Sequence, residues 1–322
     1  MTVEPGGRLR MTMLGGFLGS GKTTWLRHQL HAGGFADALV IVNEAADAPV
    51  DDALLSQTRR TEVLAGGCAC CEGLAPLVAL LRRLCDERSR AASTADRLDR
   101  IVLETSGLAD PGPIVEAIRR DPVLVHHILI AEVVVAVDAL HGLDQLRRES
   151  LGRRQAEVAD RFVVTKVDGA AAEAVSRLVA TLRTLNPGAA ISGAVKGVPA
   201  ALPAGQAAPE PLAPLDGQER RGPLVPTTVK LGGALDWTAF TVWLSALLHA
   251  RGEDVVRVKG VVRTPAGRLL LQTVRRIVQA PEILAESPGS AEDTDDTIVL
   301  IGRGYDPEDL RRSLRSFSGL PP

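Results

Sequence analysis

Along the first two-thirds of the chain, apolar residues fall into short, mostly unbroken runs separated by stretches of helical periodicity. The runs are Leu9 to Leu14, Ala38 to Val42, Ile101 to Glu104, Val133 to Val137 and Arg161 to Thr165. Continuous hydrophobicity marks strands buried on both faces, and strands alternating with amphipathic helices make a mostly parallel sheet flanked by helices. The pattern predicts an α/β domain over residues 1–198, with Thr24 to Leu30 as its first helix. Further on, Leu74, Leu77 and Leu81 form a stripe at helical spacing that Cys85 continues, which makes this cysteine a small buried hydrophobe.

Periodicity is lost between Pro199 and Pro226, where Pro203, Pro209, Pro211, Pro214 and Pro223 alternate with alanine, glycine and charges. That composition reads as a linker or a long exposed loop over 199–226. Beyond it, Leu235 to Leu248 reads as a helix burying Trp237, Phe240, Leu244 and Leu247. Strand-like Val255 to Val262, Leu269 to Val278 and Thr297 to Ile301 follow. A last helix opens near Asp306, with this aspartate as its cap and Pro307 in the first position. The order describes a small α+β domain over 227–322.

A length of 322 residues agrees with two domains, and a hydrophobic fraction of 45% supplies an ordinary globular core. Lys and Arg number 37 against 39 Asp and Glu. Without a basic excess, neither nucleic acid nor an anionic membrane is an expected partner. The opening MTVEPGGRLRMTML breaks any apolar stretch with Pro5 and glycines, and no later run is long enough to span a bilayer. A cytoplasmic location is expected.

Three short strings after strands carry the chemistry. Gly16-Phe17-Leu18-Gly19-Ser20-Gly21-Lys22-Thr23 fits GxxxxGK(S/T) and lies between a strand and a helix, as a phosphate loop requires. Its glycines let backbone N–H groups curl around phosphate oxygens, the helix N-terminus adds a positive dipole end, and Lys22 brings an ammonium. The site runs from Gly16 to Thr24 and takes in Gly19, Ser20 and Gly21, with the Thr23 hydroxyl on magnesium. In Glu104-Thr105-Ser106-Gly107, a carboxylate at a strand end suits water orientation or magnesium, and Gly107 offers an amide to the terminal phosphate. In Thr165-Lys166-Val167-Asp168, the Asp168 carboxylate matches the two donors on the guanine edge, which adenine lacks. The expected nucleotide is therefore GTP, with Lys22, Glu104 and Gly107 as the catalytic set and Lys166 and Asp168 on the base side.

Of four cysteines, Cys68, Cys70 and Cys71 crowd into one loop ahead of a helix, too close together for a disulfide framework. Thiolates bind zinc, cobalt or copper, and a helix N-terminus lowers their pKa. A metal site with one open position suits a carrier. A redox switch and buried inert thiols are the alternatives. His126 and His127 head an apolar run and read as the end of a helix or the start of a strand.

Taken together, GGFLGSGKTT, VNE, GGCACC, ETSGLADP, TKVD, LNP, LDWTAFTVWL and VVRVKGVV resemble, in the same order, the CobW family of metal-associated P-loop GTPases. The resemblance covers nearly the whole chain. It implies a GTPase domain whose cysteines bind a transition metal, zinc or cobalt, and a C-terminal domain coupling nucleotide state to a client apo-metalloenzyme, with room for a homodimer. Family members similar to this chain read N-E-F-G-E after the second strand, where Asn43-Glu44-Ala45-Ala46-Asp47 stands here. Asp47 keeps a carboxylate for the magnesium site, and Pro49 replaces a glycine. The histidine-rich stretch of many relatives is missing from 199–226.

Three functions compete on these residues: a slow GTPase that delivers metal, a nucleotide-dependent scaffold with little turnover, and a small-molecule kinase. No arginine-finger residue is evident, so hydrolysis is expected to be slow.

Overall fold

A computed structural model of the chain describes residues 7–35, 37–43, 61–64, 74–91, 97–205, 207–213, 225–231, 236–252, 254–264, 267–274, 277–278, 282–284, 296–302 and 304–318. The chain divides into two compact units. One comprises Met1–Arg183 with Ala189–Leu215, the other Thr184–Gly188 with Asp216–Pro322.

The first unit is built on eight strands: β1 (Leu9–Gly16), β2 (Leu39–Asn43), β3 (Thr61–Leu64), β4 (Arg100–Glu104), β5 (Ile128–Asp138), β6 (Arg161–Thr165), β7 (Ala190–Val195) and β8 (Val198–Ala200). They lie in the order β3-β2-β4-β1-β5-β6-β7-β8. Every neighbouring pair is parallel except β7 and β8, which form a hairpin. Parallel neighbours need crossovers, and helices supply them: α1 (Lys22–His31), α2 (Leu74–Arg90), α3 (Pro111–Arg120), α4 (Leu124–His127), α5 (Gly142–Arg148), α6 (Ser150–Val158) and α7 (Ala172–Leu185). The first strand of the chain is thus central, with Met13 opposite Leu103 on one side and Val133 on the other. Leu9, Met11, Met13 and Leu14 are fully buried in it, while Arg10 near its start stays exposed. Helix α1 lays Trp25, Leu26 and Leu30 on Leu14, Val40, Val102, Val134 and Val163.

Helix α2 buries Leu77, Leu80, Leu81, Leu84 and Cys85, the stripe read from the sequence, and burial pushes the Cys85 thiol up to about 11. Strand β5 starts at Ile128, five residues before the expected Val133, because the apolar run continues back through Ile130 and Leu129. His126 and His127 close α4 directly before it. Strands β3, β7 and β8 lie outside the expected set.

The expected linker divides between the units. Residues 199–215 belong to the first, and the remainder to the second. Glu210 is fastened there twice, by its backbone N–H to Thr181 Oγ1 at 2.9 Å and by its carboxylate to Arg147 at 2.6 Å. The buried Arg153 donates to the carbonyls of Leu146 (2.6 Å), Arg147 (3.1 Å) and Ala213 (2.7 Å).

The second unit carries an antiparallel sheet of β9 (Val225–Lys230), β10 (Val255–Thr264), β11 (Gly267–Val274), β12 (Ile277–Val278), β13 (Glu282–Leu284) and β14 (Thr297–Gly302). The order is β12-β11-β10-β14-β9, with β13 on β11. The single strand expected from Leu269 to Val278 is two strands, with Thr273 opposite Val278. Helices α8 (Trp237–Arg251) and α9 (Pro307–Ser318) bury Phe240, Trp243, Leu244, Leu248, Leu310 and Leu314 against Val229, Val258, Leu271 and Ile298. Both helices start on an aspartate: Asp236 accepts from Thr238 N at 2.8 Å and Asp306 from Glu308 N at 2.7 Å, as side-chain caps do. The chain is therefore an α/β unit with a mostly parallel sheet, followed by a small α+β unit. Among the described residues no helix is long and apolar enough to cross a membrane.

Candidate nucleotide site

In open parallel sheets ligands sit beyond the carboxyl ends of the strands. Here the ends of β1, β4, β5 and β6 carry Gly16, Glu104, Asp138 and Thr165.

The loop after β1 has a backbone that demands glycine. Gly16 has φ +133°, and a Cβ there would stand 2.3 Å from the Ala136 carbonyl oxygen. Gly19 and Gly21 have φ +72° and +80°, in the left-handed region. Gly21 precedes α1, whose first backbone bond runs from Trp25 N to Gly21 O at 2.9 Å. Lys22 is 8% exposed, and its ammonium bridges the loop, donating to Gly16 O at 2.9 Å and Phe17 O at 3.0 Å. Ser20 is fully buried, and among the described residues its Oγ has no hydrogen-bond partner. A glycine cradle holding a buried cation and an unsatisfied hydroxyl fits phosphate oxygens. Thr24, one residue on, is exposed at the start of α1.

Thr23 Oγ1 donates to Glu104 Oε1 at 2.5 Å, a short charge-assisted bond to a carboxylate that is 3% exposed. Hydroxyl and carboxylate oxygens at this spacing are the hard donors that magnesium takes. Thr105 ties the next loop to β1 through its N–H and Oγ1, both donating to Leu14 O. Gly107 then lies against the phosphate loop: a Cβ there would be 2.6 Å from Leu18 N. On the far side of that loop, Gln155 and Arg154 of α6 hold Ala109 O (2.8 Å) and Asp110 Oδ2 (3.0 Å).

The base-side string is joined to the same loop. Thr165 Oγ1 donates to Ser20 O at 2.8 Å, and Lys166 Nζ donates to Gly19 O at 2.8 Å. Asp168 stands exposed in the short 3-10 turn Val167–Gly169. The structure thus brings together Gly16, Gly19, Ser20, Gly21, Lys22, Thr23, Glu104, Gly107 and Lys166. Asp47, Cys68, Cys70 and Cys71 lie outside the described residues. Sequence reasoning missed Asp138, a single aspartate at a strand end with no spacing to flag it, which accepts from Lys166 Nζ at 2.6 Å. It also missed the end of β7, where Ala194 pairs with Thr165.

Comparison with known proteins follows the two units. The pattern of the family described as CobW/HypB/UreG, nucleotide-binding domain, matches residues 10–192, and that of the cobalamin synthesis protein cobW C-terminal domain matches residues 226–318. The zinc chaperone YjiA of Escherichia coli (strain K12) is 37% identical over 162 residues, 50% of this chain and 50% of its own. The zinc chaperone CobW of Pseudomonas aeruginosa is 32% identical over 207 residues, 54% of this chain and 53% of its own. The chain spans about half the length of these curated relatives. A crystal structure of a Zn(II)-bound triple mutant of the YjiA GTPase superposes with a TM-score of 0.61 at 25% identity, covering 97% of this chain and 99% of that one.

Proposed function

We propose, from the premise that this chain belongs to the CobW/HypB/UreG nucleotide-binding family, that it is a slow GTPase which carries a transition metal to a client protein. The observation that carries the nucleotide half is the meeting of Thr23 with Glu104 beside the Lys22-bridged glycine loop. In this reading Lys22 neutralises the outer phosphates, and the amides of Gly19, Ser20, Gly21 and Thr24 contribute to the cradle. Thr23 and Asp47 would hold magnesium, which when bound screens phosphate charge. Glu104 orients the attacking water and Gly107 offers its amide to the terminal phosphate. Asp168 reads guanine, with Lys166 beside it on the base side of the site. Slow turnover is expected because the sequence offers no evident arginine finger.

Cys68, Cys70 and Cys71 are proposed as the cargo ligands. In the sequence they fall between β3 and α2, and in this reading GTP binding favours metal capture by the three thiolates while hydrolysis loosens them for transfer. Zinc is favoured over cobalt because the relatives named above are called zinc chaperones. The client is an apo-metalloenzyme in the cytoplasm, recognised through residues 227–322, with 1–198 as the GTPase domain and 199–226 joining them.

Equilibrium dialysis with zinc or cobalt, with and without a GTP analogue and magnesium, tests the coupling. Each of Cys68→Ser, Cys70→Ser and Cys71→Ser is expected to weaken metal binding by orders of magnitude, since a serine hydroxyl is harder and stays protonated, while Cys85→Ser does not. Metal affinity that ignores the nucleotide, or survives all three substitutions, overturns the delivery reading. Normal GTP affinity with no phosphate release would instead favour a scaffold.

A further inference from the structure

Lys166 is held in an unusual posture. Its backbone is left-handed, φ 56° and ψ 34°, although it is not glycine. Its ammonium reaches back across the sheet end to two acceptors, Gly19 O at 2.8 Å and Asp138 Oδ2 at 2.6 Å. Asp138 ends β5, opposite Thr165, and its side chain is 3% exposed. The second oxygen of that carboxylate accepts from Leu140 N at 2.7 Å. Ala139 N donates to Thr165 O at 2.9 Å, so the 138–140 turn is tied to β6 by its backbone as well.

This arrangement bears on Asp168, two residues beyond Lys166. An ammonium on a flexible four-carbon stem that close to an exposed carboxylate would pair with it and compete for the oxygens that must accept from guanine. A buried aspartate outcompetes an exposed one for a lysine, because the attraction is less screened by water. Pinned between Gly19 O and Asp138, Lys166 is kept off Asp168, and the turn Val167–Gly169 is closed by Gly169 N on Lys166 O at 3.0 Å.

We infer that Asp138 is a positioning residue for base recognition: by holding the Lys166 ammonium on the phosphate loop it leaves the Asp168 carboxylate available and oriented for the guanine edge. The inference rests on the assignment of Asp168 as the base reader. Asp138 touches neither base nor phosphate and acts through Lys166.

The test compares Kd for GTP and ITP, because hypoxanthine lacks the exocyclic amine that is one of the two donors Asp168 accepts. Titration calorimetry of the full chain with magnesium is expected to give wild type a clear preference for GTP, and Asp138→Asn an ITP-to-GTP ratio of Kd values lowered by about tenfold, the scale of one charge-assisted hydrogen bond. A merely structural role would weaken both nucleotides alike and leave the ratio unchanged, which overturns the inference. A wild type that does not distinguish GTP from ITP overturns the assignment of Asp168 itself, a separate failure. In a Lys166→Met background, Asp138→Asn is expected to change the ratio no further. A further drop there shows that Asp138 does not act through the lysine. Should Asp138→Asn alone not fold, the double variant Lys166→Met, Asp138→Asn decides, since it removes both charges of the pair: a preference for GTP over ITP as large as that of wild type is expected of it, and a lost preference overturns the inference.

Discussion

Gly107 is a glycine because of its neighbour rather than its own backbone. A methyl group there would press on Leu18 N at 2.6 Å, and a backbone atom cannot swing aside as a flexible side-chain end can. Gly107→Ala is therefore expected to displace the phosphate loop, raising the Kd for GTP about tenfold or more while the core packing and circular dichroism stay native. Unchanged affinity would show that loop and switch do not press on each other. Lys22, Thr23 and the loop glycines were legible in the sequence because backbone curvature around phosphate fixes both residue type and spacing. Asp138 was not, since its partner Lys166 stands in a different strand–loop junction and only the parallel pairing of β5 with β6 brings the two together. Cys68, Cys70 and Cys71 lie outside the described residues, and their metal-binding reading stays the proposal that composition and spacing suggest.

Helix α6 joins two loops through three consecutive side chains. Arg154 and Gln155 hold the segment after Gly107, and Arg153 holds the carbonyl of Ala213 on the strap that follows β8. Burial pulls the Arg153 guanidinium below its usual range, though Glu157 opposes this, so its bonds to three carbonyls are what keep the cation inside. Arg153→Met should cost about 2–4 kcal/mol, the loss of several charge-assisted bonds with carbonyls left bare, and should speed proteolysis within 201–213. Cleavage at the wild-type rate would contradict it. No sequence pattern announces such a strap, because side-chain bonds to backbone carbonyls require no residue type at the acceptor. The proline-rich composition that suggested a linker is equally that of a chain pinned to a surface.

Helix α4 supplies a pH test. Desolvation pushes the Asp121 carboxyl up, but the N–H groups of Leu124 and Val123 and the Arg82 guanidinium outweigh it and hold the group below the usual carboxylate range. A carboxylate whose folded pKa is depressed stabilises above its unfolded value and loses that contribution as pH falls through the folded one. The gap in melting temperature between wild type and Asp121→Asn should therefore hold steady from neutral pH to about pH 4, the unfolded carboxylate value, and narrow as pH falls further through the lower folded one. A gap of constant size would assign the effect of the substitution to packing instead.

At the scale of the whole molecule, the site is shared among strands far apart in sequence, so a ligand bound there braces much of the first unit. GTP with magnesium at a hundred times its Kd should add about 2.7 kcal/mol. Slower hydrogen exchange at the amides of β1, β4 and β6 would report it, and no slowing there would place the nucleotide elsewhere. Fold class and order of elements were readable because burial on both faces leaves unbroken apolar runs. The edge strand β3 and the end strands β7 and β8 were not, since short or partly polar segments leave no such signature.

The central place of β1 also sets a timetable for synthesis. This strand leaves the ribosome ahead of the other strands of its sheet, yet both its neighbours, β4 and β5, begin only at Arg100 and Ile128. At ~5–20 residues per second, Leu9, Met11, Met13 and Leu14 wait on the order of ten seconds with no sheet to enter. An apolar segment waiting so long is one that other nascent chains can capture. Arg8 and Arg10, the second exposed in the finished strand, put charge at its leading end, where like-charge repulsion hinders pairing with another copy until the proper neighbours arrive.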